Sequence, residues 1–373
     1  MKRKVALITG VGGQDGSYLA EFLLDKGYLV RGIIRRASLP NTKRFEHLVL
    51  KYGASDEPNT PFRVEYADLT DAQSIRKVID KFRPDEIYNL GAQSHVGISF
   101  DNAESTININ TLGPLRILEI LRQSYPHIKY YQASSSEMFG IAQPPQNEST
   151  VMLPQSPYGI AKLAAYHLTR LYRNAYGLFA CNGILFNHES PRRGFNFVTK
   201  KITKELAKIV AGEIDKITLG NLDAKRDWGY SKEYIEVMWA ILQHDRPDDF
   251  VIATEETHTV RDFLKESFDL VGLKYEDYLE VSDKFHRPAE VPALLGDAKK
   301  AKVTLNWSPK VKFKELVYMM VEADLKEKLE EAGILPIQPG VVREKGYYLN
   351  KAKEILSYRQ NNKNIESLST ENN

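Results

Sequence analysis

The sequence predicts an α/β fold: a doubly wound parallel sheet with a smaller C-terminal lobe. Three observations lead there. Short apolar runs alternate with longer amphipathic ones as far as about residue 190, the pattern of successive βαβ units. The first of these runs ends in glycines at 10, 13 and 16 and opens directly into a helical pattern. Small polar clusters (GAQSH, SSSE, NHES) stand where later runs end. In a parallel sheet those ends share one edge, where open α/β sheets bind their ligands.

Taken in order, Lys4 to Thr9 is the first strand and Ser17 to Lys26 the helix after the glycines. Gly10, Gly13 and Gly16 let the backbone approach a pyrophosphate at the positive helix N-terminus, and Gln14 and Asp15 lie within the same loop. Tight strand-helix packing is the competing reason for such glycines. Tyr28 to Ile34 is the second strand. A site for NAD would end that strand in Asp or Glu, to hold the ribose hydroxyls; this chain has Arg35 and Arg36, which suit a 2′-phosphate. A basic loop at a subunit contact is the alternative, and the two roles are compatible. Residues 37 to 61 form a long polar connection, a length usually tied to function or assembly.

Phe62 to Tyr66 is the third strand, with Asp68 and Leu69 where an adenine would lie, and Asp71 to Phe82 is a helix. Glu86 to Leu90 is the fourth strand, running into Gly91, Ala92, Gln93, Ser94 and His95; Thr111 to Ser124 is another helix. His95 has no second ligand spaced to join it at a metal.

The fifth strand, IKYYQASSS, breaks into hydroxyl residues followed by Glu137. Ser156 then caps a helix with Pro157 in its first turn and Gly177 as its stop, so Tyr158 and Lys162 share a face. A phenol titrates near about pH 10 and needs roughly 4 kcal/mol to come down three units and act as a base at neutral pH. An ammonium beside it works in that direction. Tyr-x-x-x-Lys alone is a weak pattern, since Tyr125/Lys129 and Tyr347/Lys351 also match, but only Tyr158/Lys162 follows a cluster such as Ser134, Ser135, Ser136 and Glu137.

Ala180 to Phe186 is the sixth strand, ending in Asn187, His188, Glu189, Arg192 and Arg193, for which a solvated turn is the plain reading. Helices follow at Phe197 to Val210, Val260 to Leu270 and Phe313 to Glu331, with a short strand at Ile217 to Leu219. Lys201, Arg226 and Arg287 are basic residues suited to a nucleoside diphosphate. The domains expected are 1–190 for the dinucleotide, with 228–260 returning to it, 191–340 mainly for substrate, and a 341–373 extension. From Arg359 that extension is polar, Asn-rich and expected to be disordered.

A formal net charge of +2 gives no reason to expect nucleic acid or a membrane surface. The single Cys181 excludes a disulfide framework and a cysteine metal site, which favours the cytoplasm, and no metal is expected. MKRK followed by VALITGV imitates a signal peptide, but Gln14 and Asp15 interrupt it, and no apolar run reaches the length of a membrane span.

Together TGVGGQDGSYLAEFLL, LGAQSHV, SSSEMFG with SPYGIAK, LFNHESPRRG, RDWG and RPAEVPALLGD resemble the extended short-chain dehydrogenase/reductases, whose fold is the Rossmann fold, and among them the GDP-mannose 4,6-dehydratase family. The resemblance runs over about residues 3 to 335, and LFNHESPRRG and RDWG are its most specific parts. It implies a tightly held NADP, a GDP-sugar substrate and a homo-oligomer, dimer or tetramer, with the Arg35 to His47 loop near a subunit boundary. By that resemblance Tyr158 takes the 4-hydroxyl proton as hydride leaves C4 for NADP. Glu137 then takes the C5 proton and helps expel the C6 hydroxyl, and hydride returns to C6.

Ser135 would hydrogen-bond the 4-oxygen and Lys162 tune Tyr158. Gly10, Gly13, Gly16, Arg35, Asp68, Leu69, Leu90, Gln93, Ser94, His188 and Arg193 match the family's cofactor positions, with Gln14, Asp15, Arg36, Tyr158 and Lys162 beside them. Ser94, Asn187, Lys201, Arg226 and Arg287 match positions that hold the GDP sugar. Two departures stand out, Ser135 for the usual threonine and Ser105 for a usual tyrosine, and the loop from Glu137 to Tyr158 is one residue shorter.

A related 4-keto reductase or epimerase needs Tyr158 and Lys162 but no carboxylate beside Ser135, so Glu137 favours dehydration; a capping or surface carboxylate is its plain alternative. A non-catalytic nucleotide-binding scaffold on the same fold is the non-enzyme reading. The methyl missing at Ser135 makes room near C6, and the Ser134 to Ser136 run offers hydroxyls. GDP-manno-heptose, with its extra carbon, is therefore a hypothesis beside GDP-mannose.

Overall fold

The computed structural model describes residues 3–38, 42–53, 57–282, 288–338 and 340–370, with side chains as far as residue 361. Contacts divide it into two compact units: Met1–His188 with Lys225–Thr257 and Arg287–Lys310, and Glu189–Ala224 with His258–His286 and Val311–Asn373.

The first unit is built on seven strands: β1 (Val5–Thr9), β2 (Leu29–Ile34), β3 (Phe62–Tyr66), β4 (Glu86–Asn89), β5 (Lys129–Ser135), β6 (Ala180–Leu185) and β7 (Asp249–Ile252). Their order across the sheet is β7-β6-β5-β4-β1-β2-β3, with every neighbouring pair parallel. The expected doubly wound sheet is present, and its order reverses between β1 and β4. Side chains alternate between two cores, as a period of two requires: Ala6 and Ile8 join one, Leu7 the other. β7 has no counterpart in the sequence reading, because DFVI is too short to separate from its polar surroundings.

Four helices of this unit matter for the site: α1 (Gln14–Asp25), α2 (Ala72–Phe82), α3 (Gly113–Ser124) and α4 (Pro157–Tyr176). α1 starts three residues before the expected Ser17, whose buried hydroxyl donates to Gln14 O at 2.9 Å inside the first turn. α3 is preceded by a wider turn of π geometry, Asn108–Leu112, so the regular helix begins at Gly113 and not at Thr111. The polar connection 37–61 holds a short helix, Glu46–Tyr52, seated by buried Phe45 and Leu48, with Phe45 against Phe62 at 5.9 Å.

The second unit packs α5 (Val198–Ala211) against α6 (Phe313–Glu331), beside a parallel strand pair, Ile217–Leu219 with Leu279–Val281. Buried Lys200 meets Asp324 at 2.5 Å, and Thr203 donates to the same carboxylate at 2.5 Å, fixing α5 on α6. Arg359 was expected to begin a disordered end. Instead it lies within α7 (Tyr347–Thr370), and residues 371–373 fall outside the described chain.

Charged groups dock α7 at both ends of its described side chains, and the Tyr348 hydroxyl adds a bond to Glu330 of α6 at 2.9 Å. Glu322 of α6 accepts the backbone N–H groups of Tyr348 and Leu349 at 3.1 and 3.0 Å. Arg359 donates to the last carbonyls of α5, Val210 at 2.8 Å and Ala211 at 2.5 Å. Gly212 makes room for it, since a Cβ there would lie 2.4 Å from the guanidinium. Orphan carbonyls and helix dipole are thus met by one cation. Arg359→Ala is expected to lower stability by about 1–2 kcal/mol in denaturant unfolding and to speed amide exchange in residues 347–361, whereas Arg359→Lys should lose less.

Candidate active site

β5 ends at Ser135, whose side chain caps a single 3-10 turn, Ser136–Met138, by accepting the Glu137 N–H at 3.2 Å. Glu137 is thereby held, buried, just past the strand end. α4 begins next to it. Ser156 accepts the Gly159 N–H at 3.0 Å, Pro157 needs no acceptor, and Gly177 closes the helix at φ 68°, all as the sequence reading expects. A Cβ on Gly159 would come within 2.8 Å of the Glu137 carbonyl oxygen, so the turn carrying Tyr158 rests on the backbone of Glu137.

Tyr158 and Lys162 are both buried. The Lys162 ammonium donates to Ala133 O of β5 at 2.8 Å and lies 5.8 Å from the centre of the Tyr158 ring. Burial pulls its pKa down to about 8, against the upward pull of the Asp15 carboxylate. Ser134 points away from Ser135, as alternation along a strand demands, and donates to Asn182 at 3.0 Å. Asn182 in turn donates to Asp249 at 2.8 Å, and Arg173 of α4 grips that carboxylate with two bonds of 2.9 and 2.8 Å. β5, β6, β7 and α4 are braced together beneath the site.

The switch point between β1 and β4 fits a dinucleotide. A Cβ at Gly10, where φ is +72°, would meet Gly91 at 2.9 Å, and one at Gly16 would meet Gly10 O at 2.3 Å. The turn, the β4 loop and the N-terminus of α1 therefore converge with no side chain between them. Arg35 and Arg36 stand exposed past β2, with Arg36 over the Tyr66 ring at 4.9 Å. Asp68 accepts the N–H and hydroxyl of Thr70 at 2.9 and 2.8 Å. Leu69 is buried and Leu90 partly so. Gln93 accepts the His95 N–H at 2.6 Å, while Ser94 and Ser105 are exposed.

Gln14 and Asp15 face the other end of the unit's chain. Gln14 donates to His188 O at 3.1 Å, and Asp15 meets His188 Nε2 at 2.8 Å and Ser231 at 2.8 Å. Burial would raise the Asp15 carboxyl, but the charge and hydrogen bond of His188, with bonds from Gln14 and Ser231, hold it well below the usual range. The other ring nitrogen of His188 faces Phe186 O at 2.7 Å, so both ring nitrogens lie against oxygen acceptors.

Of the basic residues, Arg226 is buried and donates to the carbonyls of Lys225 and Val291, each at 2.9 Å. Asn187 is partly buried at the end of β6. Arg193 and Lys201 belong to the second unit: Arg193 pairs with Glu189 at 3.0 Å over the Phe197 ring, and Lys201 donates to Thr218 O at 2.6 Å. Arg287 lies outside the described residues. Among the described residues no cluster of three or more His, Cys, Asp or Glu is placed to hold a metal, and no helix is long and apolar enough to cross a membrane.

Sequence reasoning missed Ser99, Asn110, Thr111 and Asp227, polar residues whose partners lie far away in the chain. Asp227, inside RDWG, is fully buried and accepts from Thr254 N and Oγ1 at 2.8 and 2.6 Å, Glu255 N at 3.0 Å and Gly296 N at 3.3 Å. Burial outweighs those bonds and pushes its carboxyl up to about 6. Between the ordinary value near 4 and about 6 the folded state keeps a proton that the unfolded chain has released. Stability from this group is therefore greatest below about pH 4 and falls by up to about 3 kcal/mol as pH rises through 6. Asp15 acts oppositely, its contribution being present above about pH 4 and lost on acidification. Urea unfolding at several pH values should show a flatter dependence between pH 4 and 6 for Asp227→Asn than for the parent.

The GDP-mannose 4,6 dehydratase family model matches residues 7–320. The chain is 55% identical over 327 residues to GDP-mannose 4,6 dehydratase 2 of Arabidopsis thaliana, covering 87% of both proteins. It is 52% identical over 343 residues to the human GDP-mannose 4,6 dehydratase, covering 87% of this chain and 92% of that one. Among solved structures, the dTDP-glucose 4,6-dehydratase of Bacillus anthracis in complex with NAD shares the fold, with TM-score 0.73, 21% identity and coverage of 88% of this chain and 98% of that one. The extended short-chain dehydrogenase/reductase architecture and the likeness across nearly nine-tenths of the chain agree: this protein belongs to the GDP-mannose 4,6-dehydratase family of hydro-lyases.

Proposed function

We propose that this chain dehydrates GDP-D-mannose to the 4-keto-6-deoxy sugar, with NADP as its resident cofactor. The observation that carries the reading is the contact of the Tyr158 turn with Glu137, which puts two different proton acceptors at one strand end. NADP supplies the hydride acceptor and donor that C4 and C6 require. Tyr158, with the Lys162 ammonium on its face of α4, takes the proton of the sugar 4-hydroxyl, and Ser135 orients that oxygen. Oxidation at C4 makes the C5 proton acidic. Glu137 takes it and returns a proton to the departing C6 hydroxyl, so that water leaves. The role proposed for Lys201, Arg226 and Arg287 is to hold the GDP, with Asn187 and Ser94 at the sugar.

Burial of Glu137 favours this over simple 4-keto reduction or epimerisation, which have no use for a second carboxyl. The heptose gains little, because the Ser134 hydroxyl is committed to Asn182 and only the missing methyl of Ser135 is left to make room. The proposed setting is the cytoplasm, in keeping with the lone buried Cys181. A homo-oligomer is proposed with the Arg35 to His47 loop at its boundary, although residues 39–41 of that loop lie outside the described chain.

Incubation with GDP-mannose is expected to give a product lighter by one water with no net consumption of NADPH. Tyr158→Phe should abolish oxidation at C4, whereas Glu137→Gln should still oxidise and stall before water leaves. Near-full product from Glu137→Gln would remove the assignment of that residue.

The cofactor released on denaturing the purified protein is expected to be NADP. Charged hydrogen bonds contribute roughly 1.5–3 kcal/mol each, reduced here by the exposure of Arg35 and Arg36. Recovery of NAD alone would contradict their role.

A further inference from the structure

The first turn of α4 leaves one backbone donor for a distant residue. Pro157 has no N–H, the Gly159 N–H goes to the Ser156 side chain at 3.0 Å, and the Ile160 N–H goes to Ser156 O at 2.9 Å. The N–H of Tyr158 itself is met by the hydroxyl of Ser99 at 3.2 Å, from the helix Ile98–Asp101 that follows the β4 loop. Ser99 is fully buried, and its own proton goes to Val96 O at 2.6 Å, so its acceptor side is turned to Tyr158.

The same two segments are tied a second time. Thr111, in the π turn, donates to Ala161 O of α4 at 3.0 Å. Its neighbour Asn110 exchanges two bonds with the backbone of Gln93, accepting its N–H at 2.9 Å and donating to its carbonyl at 2.8 Å. The hydrogen bonds close a ring from the β4 loop through Ser99 to Tyr158, along α4 to Ala161, through Thr111 to Asn110 and back to Gln93.

We propose that Ser99 and Thr111 are positioning residues that clasp the Tyr158 turn to the β4 loop, so that the phenol is set against that loop before substrate arrives. The proposal rests on the reading of Tyr158 as the base for the 4-hydroxyl. A closed ring fixes the turn in two directions, where either bond alone would leave a hinge. Displacement of about 1 Å at a reacting group costs up to about a hundredfold in rate. Ser99→Ala removes the hydroxyl that accepts the Tyr158 N–H, and Thr111→Val removes the second tie with little change of shape. Thr111→Ser keeps the hydroxyl.

Each of Ser99→Ala and Thr111→Val is expected to lower kcat about tenfold or more with KM for GDP-mannose within about twofold and the cofactor content unchanged. The isotope effect with GDP-mannose deuterated at C4 should increase, because a misplaced phenol slows the C4 step alone. Hydrogen exchange at the Tyr158 amide should accelerate in both variants, and Thr111→Ser should behave as the parent. Wild-type turnover, isotope effect and exchange in both variants would overturn the proposal. So would activity lost only in step with bound cofactor and folded protein. Should Ser99→Ala not fold, Thr111→Val and Thr111→Ser carry the comparison. A Tyr158→Phe enzyme that still oxidised C4 would remove the reading beneath, and amide exchange alone would then decide whether the clasp exists.

Discussion

The first turn of α4 sits on the Glu137 carbonyl at a distance that tolerates no side chain at Gly159, and much of the first unit is arranged to make that approach possible. In the proposed reaction, two groups that move protons at neighbouring sugar carbons must be held to a fraction of an ångström. Long side chains reaching from separate loops would not do it. Here the placement comes from backbone lying on backbone: a strand end capped by its own Ser135, and a helix start capped by its own Ser156. Gly140 makes a similar approach nearby, where φ is +56° and a Cβ would collide with Leu153 O at 1.8 Å. The connection between Glu137 and Tyr158 is therefore folded back on the turn it leaves.

Buried charge serves the same end. Asp15 with His188 ties the start of α1 to the chain three residues past β6, and Arg173 with Asp249 ties α4 to β7. Such pairs contribute little net stability, because desolvating two ions offsets most of their attraction. What they supply is registry. Breaking one partner leaves the other charge buried, so alternative placements of the strands' carboxyl ends are penalised. The low carboxyl of Asp15 and the high one of Asp227 show the two ways a buried acid can be met, by a cation or by neutral donors alone.

The fold was legible wherever one residue's neighbours in sequence are also its neighbours in space. Six strands, the glycine turn and both ends of α4 follow from local rules: apolar runs, Ser156 with Pro157, Gly177 in the left-handed region. β7 was not legible, since four residues of mixed character become a strand only because β6 offers them an edge. At the site, Ser135, Glu137, Tyr158 and Lys162 announce themselves by spacing, but Ser99, Asn110, Thr111 and Asp227 do not. A serine that accepts an N–H 59 positions away looks like any other serine. The π turn before α3, which carries Asn110 and Thr111, is equally silent. Arg359 was misread for the converse reason: its polar neighbours suggested solvent, whereas its guanidinium is spent on another helix's carbonyls.

In the proposed reaction the Tyr158 phenol and Lys162 act as one system. Its pKa near 8 reflects an ammonium taken out of water with one carbonyl bond and a distant carboxylate to sustain it. A charge so poorly solvated gains more from a nearby anion than a surface lysine would, because the interaction acts through a medium of lower effective dielectric. With Tyr158 as the base that we propose, ionising its phenol would supply that anion. Each change favours the other: the phenolate restores the ammonium, and the ammonium lowers the cost of the phenolate. On that reading the burial of Lys162 is the source of its effect on Tyr158; a half-exposed lysine at the same spacing, such as Lys351 after Tyr347, already has water and a carboxylate in Glu354 at 2.7 Å, and has little left to gain.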